Sequence, residues 1–133
     1  MRKLLFVLAL SLFLGEAQAQ QSVFVPATTA TIAVAGTVAA RTRIITGLTG
    51  KSIYLTAIAL VPVATGVVTL SQGTGTNCGT DTVVLTGVMT FAAGQTLTIG
   101  TGNGTVLVLA PATDLCITIA TAAAPGFIAY SIF

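Results

Sequence analysis

The sequence predicts an all-β fold, a single β-sandwich of about eight strands, on three observations. Apolar residues recur with period two wherever a pattern is visible, as one buried sheet face requires. Turn-forming residues return every 8–14 residues or so, the spacing of short strands in a sandwich or barrel. Threonine occurs twenty-three times in the 133 residues, and its β-branch stiffens χ1 and favours extended backbone while its hydroxyl faces solvent.

The first segment stands apart from that pattern. Met1-Arg2-Lys3 gives a positive start, Leu4 to Gly15 an apolar run, and Ala17-Gln18-Ala19 the small-x-small form of a cleavage site. Residues 1–19 therefore read as a secretory signal peptide, with 20–133 as a single β-sandwich domain. The apolar run falls short of the roughly 20 residues a bilayer needs, so no stable membrane span is expected after cleavage. No cysteine stands immediately after the cut site, which argues against a lipoprotein anchor.

Strands are expected in order over 22–25, 31–34 and 37–46. In 52–60, Ile53, Leu55, Ala57 and Ala59 alternate with Tyr54, Thr56, Ile58 and Leu60. Strands at 67–71 and 82–85 follow, then 96–99 with Leu97 and Ile99 inward between threonines, then 106–109. In 115–120, Leu115, Ile117 and Ile119 share the face opposite Cys116, Thr118 and Ala120. The last strand, 127–133, sets Phe127, Ala129, Ser131 and Phe133 against Ile128, Tyr130 and Ile132. Turns are expected at Gly36, 47–50, 64–66, 72–79, 92–94, 100–104 and 125–126. Asn103-Gly104 reads as a tight hairpin turn because both residues accept positive φ, and with Thr105 it also forms an N-glycosylation sequon. The alanine-rich stretch 120–124 is too short for a helix and Pro125 stops it.

The expected core is Ile53, Leu55, Val68, Leu70, Leu97, Ile99, Leu107, Ile117 and Ile119. Opposite these rows, Ile45, Ile58, Val67, Val106 and Ile132 are expected to make the outer faces stickier than a soluble monomer tolerates. A terminal Phe133 is also a mark of outer-membrane barrels. Such barrels, however, need strands of about 9–11 residues and aromatic girdles that this chain lacks.

Charge limits the chemistry. Residues 20–133 hold two acidic side chains, Asp81 and Asp114, three basic ones, Arg41, Arg43 and Lys51, and no histidine. Acid–base, nucleophilic and metal chemistry all need titratable or ligating groups, so the chain is expected to be non-enzymatic and without a cofactor. Three dispersed cations do not make a nucleic-acid surface, which requires clustered Lys and Arg. Cys78 and Cys116 are the only cysteines, and in an exported chain they are expected to form one intramolecular disulfide.

That bridge would bring Asp81 and Asp114 close together, since they lie three and two residues from the cysteines. Such a pair could hold Ca²⁺ with backbone carbonyls, or act as the acid and its partner in glycoside hydrolysis. The simpler role is that of turn residues bonding nearby N–H groups. The run Gly73 to Thr80 lacks the lysine and following helix of a phosphate-cradling loop. As a tied loop at the end of a sandwich, its residues Gly73, Thr74, Gly75, Thr76 and Asn77 are the candidate contact surface.

From Lys51 onward the chain resembles small β-sandwich modules of tailed-phage structural proteins and related exported bacterial proteins. The residues that carry this are Gly73 to Thr80 (GTGTNCGT), Leu85-Thr86-Gly87, Ala92-Ala93-Gly94, Gly104-Thr105-Val106-Leu107, Leu115-Cys116-Ile117 and Ala129 to Phe133. The resemblance implies a jelly-roll-like module that decorates or assembles, with no catalytic residues to carry over. The signal peptide departs from the phage pattern, because tailed virions assemble in the cytoplasm, and favours an exported relative.

The expectation is thus an exported structural or surface-adhesive module, secreted, periplasmic or at the cell surface (in a virion if phage-encoded). It would act through copies of itself or by docking on a larger surface. The alternatives are a phage decoration or appendage protein and a secreted carbohydrate-binding module with a glycan partner. The last usually presents exposed aromatics, of which Tyr54, Tyr130 and a few phenylalanines are available. The run 20–34 could serve as an edge strand exchanged between subunits.

Overall fold

The computed structural model describes residues 30–34, 40–100, 104–120 and 123–133. The expected signal peptide, the strand at 22–25, the start of 37–46, Asn103 and all of the exchangeable run except 30–34 lie outside the described residues.

The chain forms β1 (Ala30–Val34), β2 (Thr42–Ile45), β3 (Ile53–Leu60), β4 (Gly66–Thr74), β5 (Thr80–Val84), β6 (Met89–Phe91), β7 (Leu97–Ile99), β8 (Leu107–Val108), β9 (Asp114–Ala120) and β10 (Gly126–Ile132). They build two five-stranded sheets, a first with order β1-β10-β3-β7 plus β8 on β3, and a second with order β2-β9-β4-β5 plus β6 on β4. Every pairing is antiparallel. The fold is the all-β sandwich that the alternation and turn spacing predict.

Among the described residues ten strands replace the expected eight or so because two edge lanes are each broken in two. β5 and β6 run in the same direction along one edge of β4, and β7 and β8 do so along β3. Counted as lanes, the first pairs with the last (β1·β10), the second with the seventh (β2·β9), the third with the sixth (β3·β7/β8) and the fourth with the fifth (β4·β5/β6). This nesting of one long antiparallel ribbon into two sheets is the jelly-roll arrangement. It also corrects the hairpin expected at Asn103-Gly104. β7 and β8 both pair with β3 and not with each other, so the two strands do not form a hairpin.

The centre of the second sheet behaves as its sequence suggests. Leu70 pairs with Ile117 and Val68 with Ile119, and all four side chains are buried against the first sheet. Cross-strand pairs of β-branched and aliphatic residues on one face are the unit of such stabilisation. β3 departs from its apparent pattern. Tyr130 opposes Leu55 while Ala129 opposes Ala57, so Thr56 is the extra residue of a β-bulge. One inserted residue inverts the phase of every side chain beyond it. Ile53, Leu55, Ile58 and Leu60 are therefore all wholly buried, and Ala57 and Ala59 turn outward. Strict alternation would have buried the two alanines and exposed two large aliphatics, so the bulge doubles the apolar content of this strand's inner row.

The same device acts in β2, where Arg43 opposes Cys116 and Ile45 opposes Leu115, which carries Ile45 into the core. Ile45 and Ile58 are thus core residues and not part of an adhesive outer face, while Val67, Val106 and Ile132 are half-buried. Gly100 lies against the β3 bulge. Its φ is +74° and a Cβ there would stand 2.4 Å from Thr56 O, so only glycine fits where the edge lane breaks. Of the expected core, Ile53, Leu55, Val68, Leu70, Ile117 and Ile119 are buried, and Leu97, Ile99 and Leu107 pack half-buried at its margin. Val34, Phe91, Leu109, Leu115, Ala124 and Ile128 complete it.

Candidate functional site

The polar side chains gather at one end of the second sheet, on its outer face. Leu115 and Ile117 point into the core, so Cys116 between them points outward, yet it is wholly buried. What covers it is the chain leaving β4. That strand runs on through Gly73 and Thr74, two of the residues expected in the contact loop, and Gly75, Thr76 and Asn77 then turn back over the sheet. Gly73 permits this: a Cβ there would lie 2.9 Å from Cys78 Cβ and 2.8 Å from Thr80 O.

The return is a left-handed turn. Asn77 and Cys78 have φ of 51° and 55°, and Gly79 N–H donates to Thr76 O at 3.0 Å. Two successive residues at positive φ closing such a bond are the mark of a type I′ turn. Cys78 is bonded to Cys116 across a sequence separation of 38, the pairing that the sequence predicts. Both cysteines are wholly buried.

Around the disulfide, three of the chain's few charges are spent on internal contacts. Arg41 Nη1 donates to Cys78 O at 2.9 Å and to Thr82 Oγ1 at 2.8 Å, and the Thr82 hydroxyl itself donates to Cys78 O. Arg43 N–H donates to Asn77 Oδ1 at 3.1 Å. The Arg43 guanidinium reaches Asp114 Oδ2 at 3.2 Å, and Asp114 Oδ1 accepts from Gly47 N–H at 2.8 Å. Asp114 is thereby the knot tying β9 to β2 and to the turn that follows β2. Ser71, paired with Cys116 on the same covered face, is buried with no hydrogen-bond partner for its hydroxyl among the described residues.

The two carboxylates have different settings. Asp114 is buried and both its oxygens are engaged by protein donors, whereas Asp81 is exposed in β5 with φ of 51°. β4 lies between their strands, which separates the backbones by about two strand spacings, or ~10 Å. Among the described residues no group of three or more His, Cys, Asp or Glu side chains comes together to hold a metal ion.

Sequence reasoning identified Cys78, Cys116, Asp114 and the 73–77 run, but not the roles of Arg41 and Arg43. Two basic residues in an i, i+2 pair on a strand that ends at the disulfide's lane were the available signal. Asp114→Ala should lower stability by roughly 1–2 kcal/mol, because the half-buried Gly47 N–H loses a charged acceptor. Asp114→Asn, which keeps an oxygen for Gly47, should cost about half of that, and Arg43→Ala less than about 1 kcal/mol since its side chain is half exposed. Urea denaturation midpoints of the three variants check the order.

Among the described residues no helix is long and apolar enough to cross a membrane. No protein-family model, no curated protein and no solved structure matches this chain.

Proposed function

We propose that this chain is a non-enzymatic, exported jelly-roll module that works by association, with copies of itself or with a larger surface. The observation that carries the reading is the edge lane β5–β6 of the second sheet. Val83, Val84 and Val88 on this lane are 51%, 61% and 72% exposed, and Asp81 is its one charge. An open sheet edge is a template for another chain, and soluble proteins usually blunt such edges with several charges or cover them. Val83 and Val84 project from opposite faces of β5 and Val88 from the link to β6, so apolar side chains flank the open edge on both sides, which suits a docking chain better than free solvent.

The remaining chemistry agrees with a non-catalytic role. Arg43 and Asp114 neutralise each other, Arg41 is spent on a backbone carbonyl, and the second carboxylate stands apart from the first. A buried disulfide suits an oxidising compartment, which supports export.

Sedimentation velocity of residues 20–133 at micromolar concentration tests the proposal. The expected result is a species larger than the monomer, and the double variant Val84→Lys/Val88→Lys should weaken its association at least about tenfold while leaving the circular dichroism unchanged. A strictly monomeric protein that binds a polysaccharide would overturn it in favour of a carbohydrate-binding module.

A further inference from the structure

Three non-glycine residues close together in sequence, Asn77, Cys78 and Asp81, hold φ of 51°, 55° and 51°. Asn and Asp tolerate the left-handed region through local side-chain hydrogen bonds, but Cys has no such compensation. A residue held there persists only where its surroundings over-determine it. At Cys78 the determinants are few and known. The bond to Cys116 holds its side chain against the sheet, and Arg41 Nη1, from just before β2, and the Thr82 hydroxyl hold its carbonyl. Asn77 is held in turn by the backbone N–H of Arg43. The covered surface is unusual for an outward sheet face, with Ser71 and Cys116 almost wholly excluded from solvent.

We infer that residues 75–79 are a flap clasped by the Cys78–Cys116 disulfide, and that reduction of this bond opens the flap. Opening uncovers the outer face of the second sheet and releases Arg41 and Arg43 from Cys78 and Asn77. The reductant is a dithiol. One of its thiolates attacks a cysteine sulfur and forms a mixed disulfide, its second thiol displaces the chain, and two cysteine thiols and one oxidised dithiol result. Two electrons and two protons pass to the protein. Neither sulfur is exposed, so attack follows transient opening of the flap. Once the bond is cut, Cys78 is free to leave the left-handed region and nothing covalent returns it. In a reducing compartment the turn is open. After export and oxidation it closes and completes the end of the sheet that carries Thr76 and Asn77. This holds whatever docks on the β5–β6 lane.

Trypsin reads the flap directly, because Arg41 and Arg43 are both tied to it. The disulfide-bonded protein should be cleaved slowly after these residues. After treatment with dithiothreitol, with alkylation of both thiols confirming complete reduction, cleavage there should accelerate at least about tenfold while the far-ultraviolet circular dichroism of the folded sandwich is retained. Unchanged cleavage in fully reduced protein would overturn the inference. So would loss of the folded β-sheet spectrum on reduction, which would mean that the whole domain, and not one flap, opens without the bond. Two variants without the bond separate strain from covalent closure. Glycine accepts φ of +55° freely, so Cys78→Gly/Cys116→Ala should be cleaved several-fold more slowly than Cys78→Ala/Cys116→Ala. Equal rates would refute the assignment of strain to Cys78.

Discussion

Ile58→Ala is expected to destabilise the protein by about 2–5 kcal/mol, while Ala57→Ser should stay within about 0.5 kcal/mol. The contrast follows from the bulge at Thr56. Beyond it the inner row of β3 continues through Ile58 and Leu60, both wholly buried, and Ala57 faces out. Removing three carbons from a site enclosed by both sheets loses transfer free energy and leaves a cavity that a rigid sandwich closes poorly. A strand of unbroken period two would give the opposite order, with Ala57→Ser the costlier change. Urea midpoints of the two variants therefore report the register of β3 without a structure.

Removing the disulfide with Cys78→Ser/Cys116→Ser is expected to cost about 3–4 kcal/mol, from the entropy regained by the unfolded chain when a loop of this length opens. For a domain of this size that lowers the melting temperature by on the order of 10–20 °C. The folded state contributes to the loss as well, since two serine hydroxyls would be buried beside Ser71, whose own hydroxyl has no partner among the described residues. Calorimetry of the oxidised protein and the double variant provides the comparison. Equal melting temperatures would show that the bond is incidental to stability.

The fold class was legible in the sequence because period-two rows and regular turns are local signals. The pairs Leu70·Ile117 and Val68·Ile119 lie where those rows place them. Phase was harder to read. Nothing in the stretch 53–60 marks Thr56 as a bulge, because an inserted residue is defined by its partner strand, and that partner, β10, lies some seventy residues further along the chain. The breaks between β5 and β6 and between β7 and β8 were hidden for a related reason. A turn-like sequence between two short strands suggests a hairpin, yet the strands on either side both found the same neighbour. At the candidate site, the cysteine count and the expected signal peptide together pointed to the disulfide. The roles of Arg41 and Arg43 depend on a turn folding back across three lanes, which no local pattern encodes.

The disulfide end and the β5–β6 edge belong to the same sheet, and in the proposed function only the edge meets a partner. Amide exchange in residues 80–84 at low and high protein concentration tests that edge most directly, since outward-facing amides of an edge strand exchange freely unless another chain pairs with them. Association along β5 predicts slower exchange at Thr82 and its neighbours as concentration rises, with no change at the core strand β3. Exchange in β5 that is independent of concentration, in a protein that nevertheless forms oligomers, would contradict the account and place the interface elsewhere.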